Sequence, residues 1–232
     1  MKIGIIGAME DEIVPLRNKL QNPKRCLLAG AEIYSGIINN IEVFLLKSGI
    51  GKVVAALSTT LLLHIYQPNL VINIGSAGGL NPLIKIGDII ISDELRYHDV
   101  DVTACGYAHG QMAGCPLSFR ADKNLISIAE LCSKKLNLHS TRGLIVSGDI
   151  FIHGGVIRQH IRNIFPEAIA VDMESSAVAH VCYQFEIPFI SIRAVSDIAD
   201  QESPLNFNNF LNLASHNSSL MIESLLYYLV TT

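Results

Sequence analysis

Three carboxylates, Glu12, Glu174 and Asp197, each follow an apolar run by a few residues. Lys2–Ala8 leads into Met9-Glu10-Asp11-Glu12, Ala168–Val171 into Asp172-Met173-Glu174, and Phe189–Ala194 into Val195-Ser196-Asp197. Carboxylates serve as general acids, general bases and stabilisers of developing positive charge. In open α/β sheets, ligands bind beyond the carboxyl ends of the strands. If these runs are parallel strands, they deliver several carboxylates to one rim. Two more runs end on the same rim. Leu70–Gly75 is followed by Ser76-Ala77-Gly78-Gly79, and Arg142–Val146 by Ser147-Gly148-Asp149-Ile150-Phe151. Each acid alone has a plainer explanation. Glu10, Asp11 and Glu12 in a first helical turn complement the helix dipole, as does Glu174. Asp197 suits a cap or turn. The plain explanation strains for Asp172, Glu174 and Asp197 together, because a carboxylate beside apolar strands is unfavourable to bury without a partner.

Other chemistries fit less well. Gly49-Ile50-Gly51-Lys52 opens a helix, but a phosphate-binding loop needs glycine at position 46 and Ser or Thr at 53, where Leu46 and Val53 stand. A dinucleotide fingerprint needs a third glycine at Val54. A tight turn that lets a ligand approach remains. Ser76-Ala77-Gly78-Gly79 reads as a turn with exposed backbone N–H groups, able to wall a flat ligand. The eight histidines have no metal-ligand spacing, so no metal is expected. His98 and His153 read as solvated loop residues. HExxH and GxSxG are absent, which disfavours zinc hydrolysis and serine nucleophiles.

The positioning elements follow from periodicity. Strands are expected at Lys2–Ala8, Leu70–Gly75, Asp88–Ser92, Arg142–Val146, Ala168–Val171 and Phe189–Ala194, with a hairpin at Glu32–Ile38 and Ile41–Leu46 turning at Asn39-Asn40. Helices are expected at Asp11–Leu20, Lys52–Ile65, Lys123–Leu136, Val156–Ile164, Ser175–Phe185 and Phe207–Leu229. Residues 95–120 read as a long irregular excursion, a feature that is often functional. Alternating strands and helices, with no linker or repeat, predict one α/β domain over residues 1–232 with a mixed, largely parallel sheet.

Composition bounds the rest. Of 232 residues, 50% are apolar and 16% charged, with mean hydropathy +0.37. No apolar run approaches the ~20 residues of a membrane helix, so the excess reads as buried parallel sheet and a subunit interface, without membrane association. A net charge of −4 without a basic run argues against nucleic-acid binding. With a single Lys and acidic residues from Glu10, the first residues do not read as a convincing signal peptide. Five scattered cysteines without CxxC spacing predict buried or partly buried free thiols in a reducing cytoplasm.

MKIGIIGAMEDEI, KSGIGKV, NIGSAGGL, RYHDVDVTACGY, VSGDIFI, VDMES and RAVSDIAD occur in that order. Together they resemble the methylthioadenosine/S-adenosylhomocysteine nucleosidases of the nucleoside phosphorylase superfamily. The resemblance implies a single α/β domain with a central twisted, partly barrel-like mixed sheet flanked by helices. It implies a cytoplasmic homodimer that needs no cofactor. The implied reaction cleaves 5′-methylthioadenosine and S-adenosylhomocysteine, and 5′-deoxyadenosine too, to adenine and a ribose product. Asp197, held by Ser196, would protonate the purine as a general acid. Glu174 would bind the ribose hydroxyls beside Met173, and Glu12 would activate water, helped by Ser76 and Arg193. Phe151 would stack on adenine, and the backbone of Ile152 would read its edge. Met9, Ile50 and Phe207 would line the ribose and alkylthio pocket, with Ala77, Gly78 and Asp172 also at the substrate. Val102 and Tyr107 would arrive from a partner subunit.

Three positions depart from the family pattern. Many members carry Glu where this chain has Asp172. Cys105 stands where an aromatic is common, and Ala113 where Pro is common. The last two would face the 5′ substituent, which implies a roomier pocket there. Phosphorolysis would need a dianion site rich in Arg, which GIGK and GSAGG do not supply. A futalosine-type hydrolase shares the fold and the VDME-like segment. A non-catalytic nucleoside binder has no need of a water-activating carboxylate.

Overall fold

The computed structural model describes residues 1–200 and 203–231. Ten strands join one mixed sheet. They are β1 (Lys2–Gly7), β2 (Gln21–Leu28), β3 (Ala31–Ile38), β4 (Ile41–Lys47), β5 (Leu70–Gly79), β6 (Ile89–Tyr97), β7 (Phe119–Arg120), β8 (Ser140–Ser147), β9 (Ala168–Asp172) and β10 (Phe189–Asp197). Nine of them run in the order β10-β6-β8-β9-β5-β1-β4-β3-β2, β7 pairs with β6 off that path, and β10 also pairs with β5. That extra pairing closes β10, β6, β8, β9 and β5 into a five-strand ring, from which β1, β4, β3 and β2 extend as an open arm. The expected partly barrel-like α/β fold is the one observed.

Helices α1 (Glu10–Arg17), α2 (Lys52–Tyr66), α3 (Lys123–Lys135), α4 (Gly155–Ile164), α5 (Ser175–Gln184) and α6 (Ser203–Thr231) flank the sheet. α6 packs on β10 and α1, and α2 on α5. The near-continuous apolar runs of β1, β5 and β10 are buried on both faces, the pattern of strands covered by helices. The expected hairpin forms. Asn39 and Asn40 both take positive φ, +50° and +63°, as a two-residue turn of the mirror-image type requires.

The structure corrects the sequence reading at several points. β2 was not expected. Its sequence, QNPKRCLL, contains Pro23, does not alternate, and is exposed throughout. It is an edge strand, with an irregular register between Gln21 and Lys24. Ser76-Ala77-Gly78-Gly79 is no turn. These residues stay in β5, opposite Ala194, Val195 and Asp197 of β10 and Val171 and Ala170 of β9. Small side chains let the ring close there. β6 runs to Tyr97, so the excursion shortens to residues 98–118 and holds one 3-10 turn at Thr103–Cys105. All five cysteines are free, but Cys26 and Cys105 are exposed rather than buried.

Candidate active site

The carboxyl ends of β1, β5, β9 and β10 meet at a cavity of about 290 Å³. Glu12, Glu174 and Asp197 all line it, and all three are buried. Burial of three acids is tolerable only with donors to meet them, and each has its own set.

Glu12 lies one turn into α1. Its Oε2 accepts from the backbone N–H of Ala8 at 2.7 Å and of Met9 at 3.0 Å. The second of these bonds caps the helix, so the plain reading of Glu12 also holds. Its Oε1 reaches across to β5, where the N–H and Oγ of Ser76 donate at 3.0 and 3.2 Å. Gly75 makes this possible. It takes a φ of +147°, and a Cβ there would sit 2.3 Å from Arg193 Nη1 and 2.6 Å from Glu12 Oε1.

Glu174 begins α5 but makes no cap bond with its side chain. Its Oε1 instead accepts the N–H of Gly51, at the head of α2, at 2.9 Å. Arg193 Nη2 lies 3.7 Å from its Oε2. Burial pushes the Glu174 pKa up to about 8; Arg193 opposes the rise, and the nearby anions Asp172 and Glu12 add to it. Asp172, the last residue of β9, takes the closer contact, 2.9 Å from Arg193 Nη2. Its carboxylate also accepts from Ser147 Oγ at 2.5 Å and from Ser175 Oγ.

Asp197 ends β10 at a register shift opposite Gly78. Such a bulge re-aims a side chain. Oδ1 accepts the N–H of Ala199 at 2.8 Å and Oδ2 the hydroxyl of Ser196 at 3.0 Å. Asp197 is thus also the turn residue that its type suggests.

The helix start at Gly51-Lys52 is no phosphate cradle. The Gly51 N–H is taken by Glu174, and the Lys52 N–H by Asp149 Oδ1 at 2.7 Å. An incoming dianion would meet two carboxylates where it needs donors.

Met9, Ile50, Ser76, Ala77, Gly78, Phe151, Ile152, Asp172, Met173, Ser196 and Phe207 line the cavity with the three acids. The rings of Phe151 and Phe207 meet edge-on, 5.8 Å between centroids. Arg193 is not a lining residue; it lies behind the wall, 1% exposed. Val102 and Tyr107 sit on the excursion, outside the cavity of their own chain. Among the described residues no cluster suits a metal ion. His98 differs from the expectation: it is partly buried rather than solvated, and desolvation holds its pKa down. Sequence reasoning passed over Asn73, Ser147 and Ser175, which hold the charged groups from behind. A signal existed, since each is a polar residue inside or beside an apolar run, where burial demands partners.

A closed ring with three buried carboxylates at its carboxyl rim is an arrangement suited to acid–base catalysis on a small ligand, and the comparison with known proteins says of which class. The family model of the phosphorylase superfamily matches residues 2–227. The 5′-methylthioadenosine/S-adenosylhomocysteine nucleosidase of Neisseria meningitidis, solved with methylthio-immucillin-A, is 42% identical (TM-score 0.96, 98% of this chain and 99% of that one). The corresponding nucleosidase of Colwellia psychrerythraea, solved with adenine, is also 42% identical (TM-score 0.96, 98% and 95%). The futalosine hydrolase of Helicobacter pylori is 31% identical (TM-score 0.94, 98% of each chain). The chain belongs to the phosphorylase superfamily and, within it, to the methylthioadenosine/S-adenosylhomocysteine nucleosidases.

Proposed function

We propose that this protein hydrolyses the N-glycosidic bond of 5′-methylthioadenosine and S-adenosylhomocysteine, and of 5′-deoxyadenosine, releasing adenine. The observation that carries this reading is the meeting of Glu12, Glu174 and Asp197 on one cavity, beside which the head of α2 is already occupied by carboxylates. Purine loss passes through an oxocarbenium-like transition state. Asp197 protonates the leaving purine, steadied by Ser196. Glu174 binds the ribose hydroxyls. Positive charge developing on the sugar favours its ionised form, so the anion is strongest where the charge appears. Glu12, with Ser76, orients and deprotonates water on the opposite face. Phe151 stacks on adenine, and Met9, Ile50 and Phe207 enclose the ribose and its thioether. No cofactor takes part.

The reaction would serve purine and methionine salvage and remove by-products of S-adenosylmethionine in the cytoplasm, where free thiols such as Cys26 and Cys105 stay reduced. The protein would act as a homodimer. Exposed Val53, Val54, Leu57 and Ile65 form an apolar stripe on α2, and Val102 and Tyr107 would complete the partner's pocket.

The test is adenine release from methylthioadenosine with phosphate excluded. Full activity supports hydrolysis, and a phosphate requirement would overturn it in favour of phosphorolysis. Futalosine assayed alongside separates the second hydrolase reading.

A further inference from the structure

Behind the cavity wall lies a polar network that none of the roles above uses. Asn73 sits in the middle of β5, in the otherwise apolar run Val71-Ile72-Asn73-Ile74, and is buried. Its Nδ2 donates to the carbonyl of Ile6 on β1 at 2.9 Å. Its Oδ1 accepts from Arg193 Nη2 at 2.8 Å and from Ser191 Oγ at 3.2 Å, and it lies 2.9 Å from Ser175 Oγ, whose own proton goes to Asp172. Ser175, in the first turn of α5, in turn accepts from Arg193 Nε at 3.1 Å and Nη2 at 2.9 Å. The guanidinium is therefore gripped from two elements, β5 and α5, on the side away from the cavity. Arg193 Nη1 reaches only the carbonyl of Ser76, at 3.3 Å.

The grip decides which acid the cation serves. Arg193 Nη2 stands 2.9 Å from Asp172 and 3.7 Å from Glu174. We propose that Asn73 and Ser175 are positioning residues that hold the Arg193 guanidinium against Asp172 and back from Glu174. A fully buried arginine with two carboxylates in reach would otherwise be drawn towards both. The cavity side then keeps a carboxyl group that is only partly neutralised by its cation.

The charged groups facing Glu174 are Arg193 from β10, Asp172 from β9 and Glu12 from α1, with the Gly51 N–H at the head of α2. Only Arg193 is positive, so a small movement of the guanidinium governs how readily Glu174 gives up its proton. An opposite charge brought into contact lowers a carboxyl pKa by about 1–3 units. The raised position of Glu174 agrees with a cation kept at arm's length.

This inference rests on the reading that Glu174 serves the ribose, and its test separates the two. Asn73→Ala and Ser175→Ala each free one side of the guanidinium; Ser175→Ala also takes a hydroxyl donor from Asp172, which by itself would move Glu174 no further towards acid than Asn73→Ala does. Ser191→Ala is the control, since Ser191 touches Asn73 and Ser175 but has no bond to Arg193. Adenine release from methylthioadenosine is followed against pH. The limb that Glu174→Gln abolishes is expected to move about one pH unit towards acid in Asn73→Ala and Ser175→Ala and to stay in place in Ser191→Ala. A second readout needs no substrate. The pH at which each protein's Tm levels off relative to its own Glu174→Gln counterpart should move in the same way.

Variants that lose Tm yet keep the wild-type limb and levelling pH would make the network merely structural and overturn the proposal. If Asn73→Ala does not fold, Ser175→Ala decides by the same two measurements. If the wild type releases no adenine, the nucleosidase reading fails, and the thermal readout still decides the positioning role.

Discussion

The backbone N–H of Gly51 donates to Oε1 of Glu174 at 2.9 Å, across 123 positions of sequence. The bond ties the head of α2 to the head of α5, and the dipole of α2 points at the acid assigned to the ribose. Gly51 can do this because its φ is +98°; a Cβ there would also press to 3.0 Å from Asp149 Oδ1. Gly51→Ala is therefore strained by about 1–3 kcal/mol. Its kcat/KM for methylthioadenosine should fall roughly 10- to 100-fold, read by adenine release, with the fold kept by circular dichroism. An unchanged kcat/KM would refute the role of this contact.

Asp197→Asn and Glu12→Gln should each lose turnover by about 10²–10⁴-fold, the range for a positioned acid or base. The two variants should differ in stability. Glu12 meets four donors with two oxygens, and glutamine turns an NH₂ towards two of them. That mismatch is worth about 1–3 kcal/mol. Thermal unfolding should place Glu12→Gln below Asp197→Asn, and retained turnover in the double variant would sink the mechanism.

Glu174 makes stability depend on pH in an unusual direction for an acid. Its pKa rises from 4.5 to about 8 on folding, so the folded state holds the proton more tightly than the unfolded one. The favourable contribution is complete below about pH 4.5 and is lost as pH rises through about 8. Glu174→Gln removes the effect. Its Tm should gain on the wild type between pH 5 and pH 8, and parallel curves would contradict the assignment.

The stripe of Val53, Val54, Leu57 and Ile65 on α2 should be a subunit contact. Val53→Lys with Leu57→Lys is expected to shift the protein to monomer in sedimentation, without loss of secondary structure. Activity should fall along with it, because Val102 and Tyr107 would no longer reach a neighbouring pocket. A monomer with full activity would remove the shared site.

Much of this was legible because its cause is local. Apolar runs of strand length announced β1, β5, β9 and β10, and the acids that follow β1 and β9 and end β10 line one cavity. Ring closure was less legible. Whether Ser76-Ala77-Gly78-Gly79 turns or continues depends on β10 arriving beside it, a contact between positions more than a hundred residues apart. β2 was invisible for a related reason: exposed on both faces, it carries no period-two pattern and owes its form to pairing with β3. Asn73 is a lone polar residue in a buried strand. Its meaning lies in Arg193 and Ser175, which other elements supply.

The open arm of the sheet ends at β2, where Pro23 and the slipped register break the line of free N–H and C=O groups. An unbroken edge would let copies add strand to strand without limit. Here that route is spoiled, while the apolar stripe of α2, three elements further along the chain, offers a helix face instead. Under the proposed dimer, the protein would count its own copies: growth along the sheet is refused, and association through a helix face would close on itself and stop.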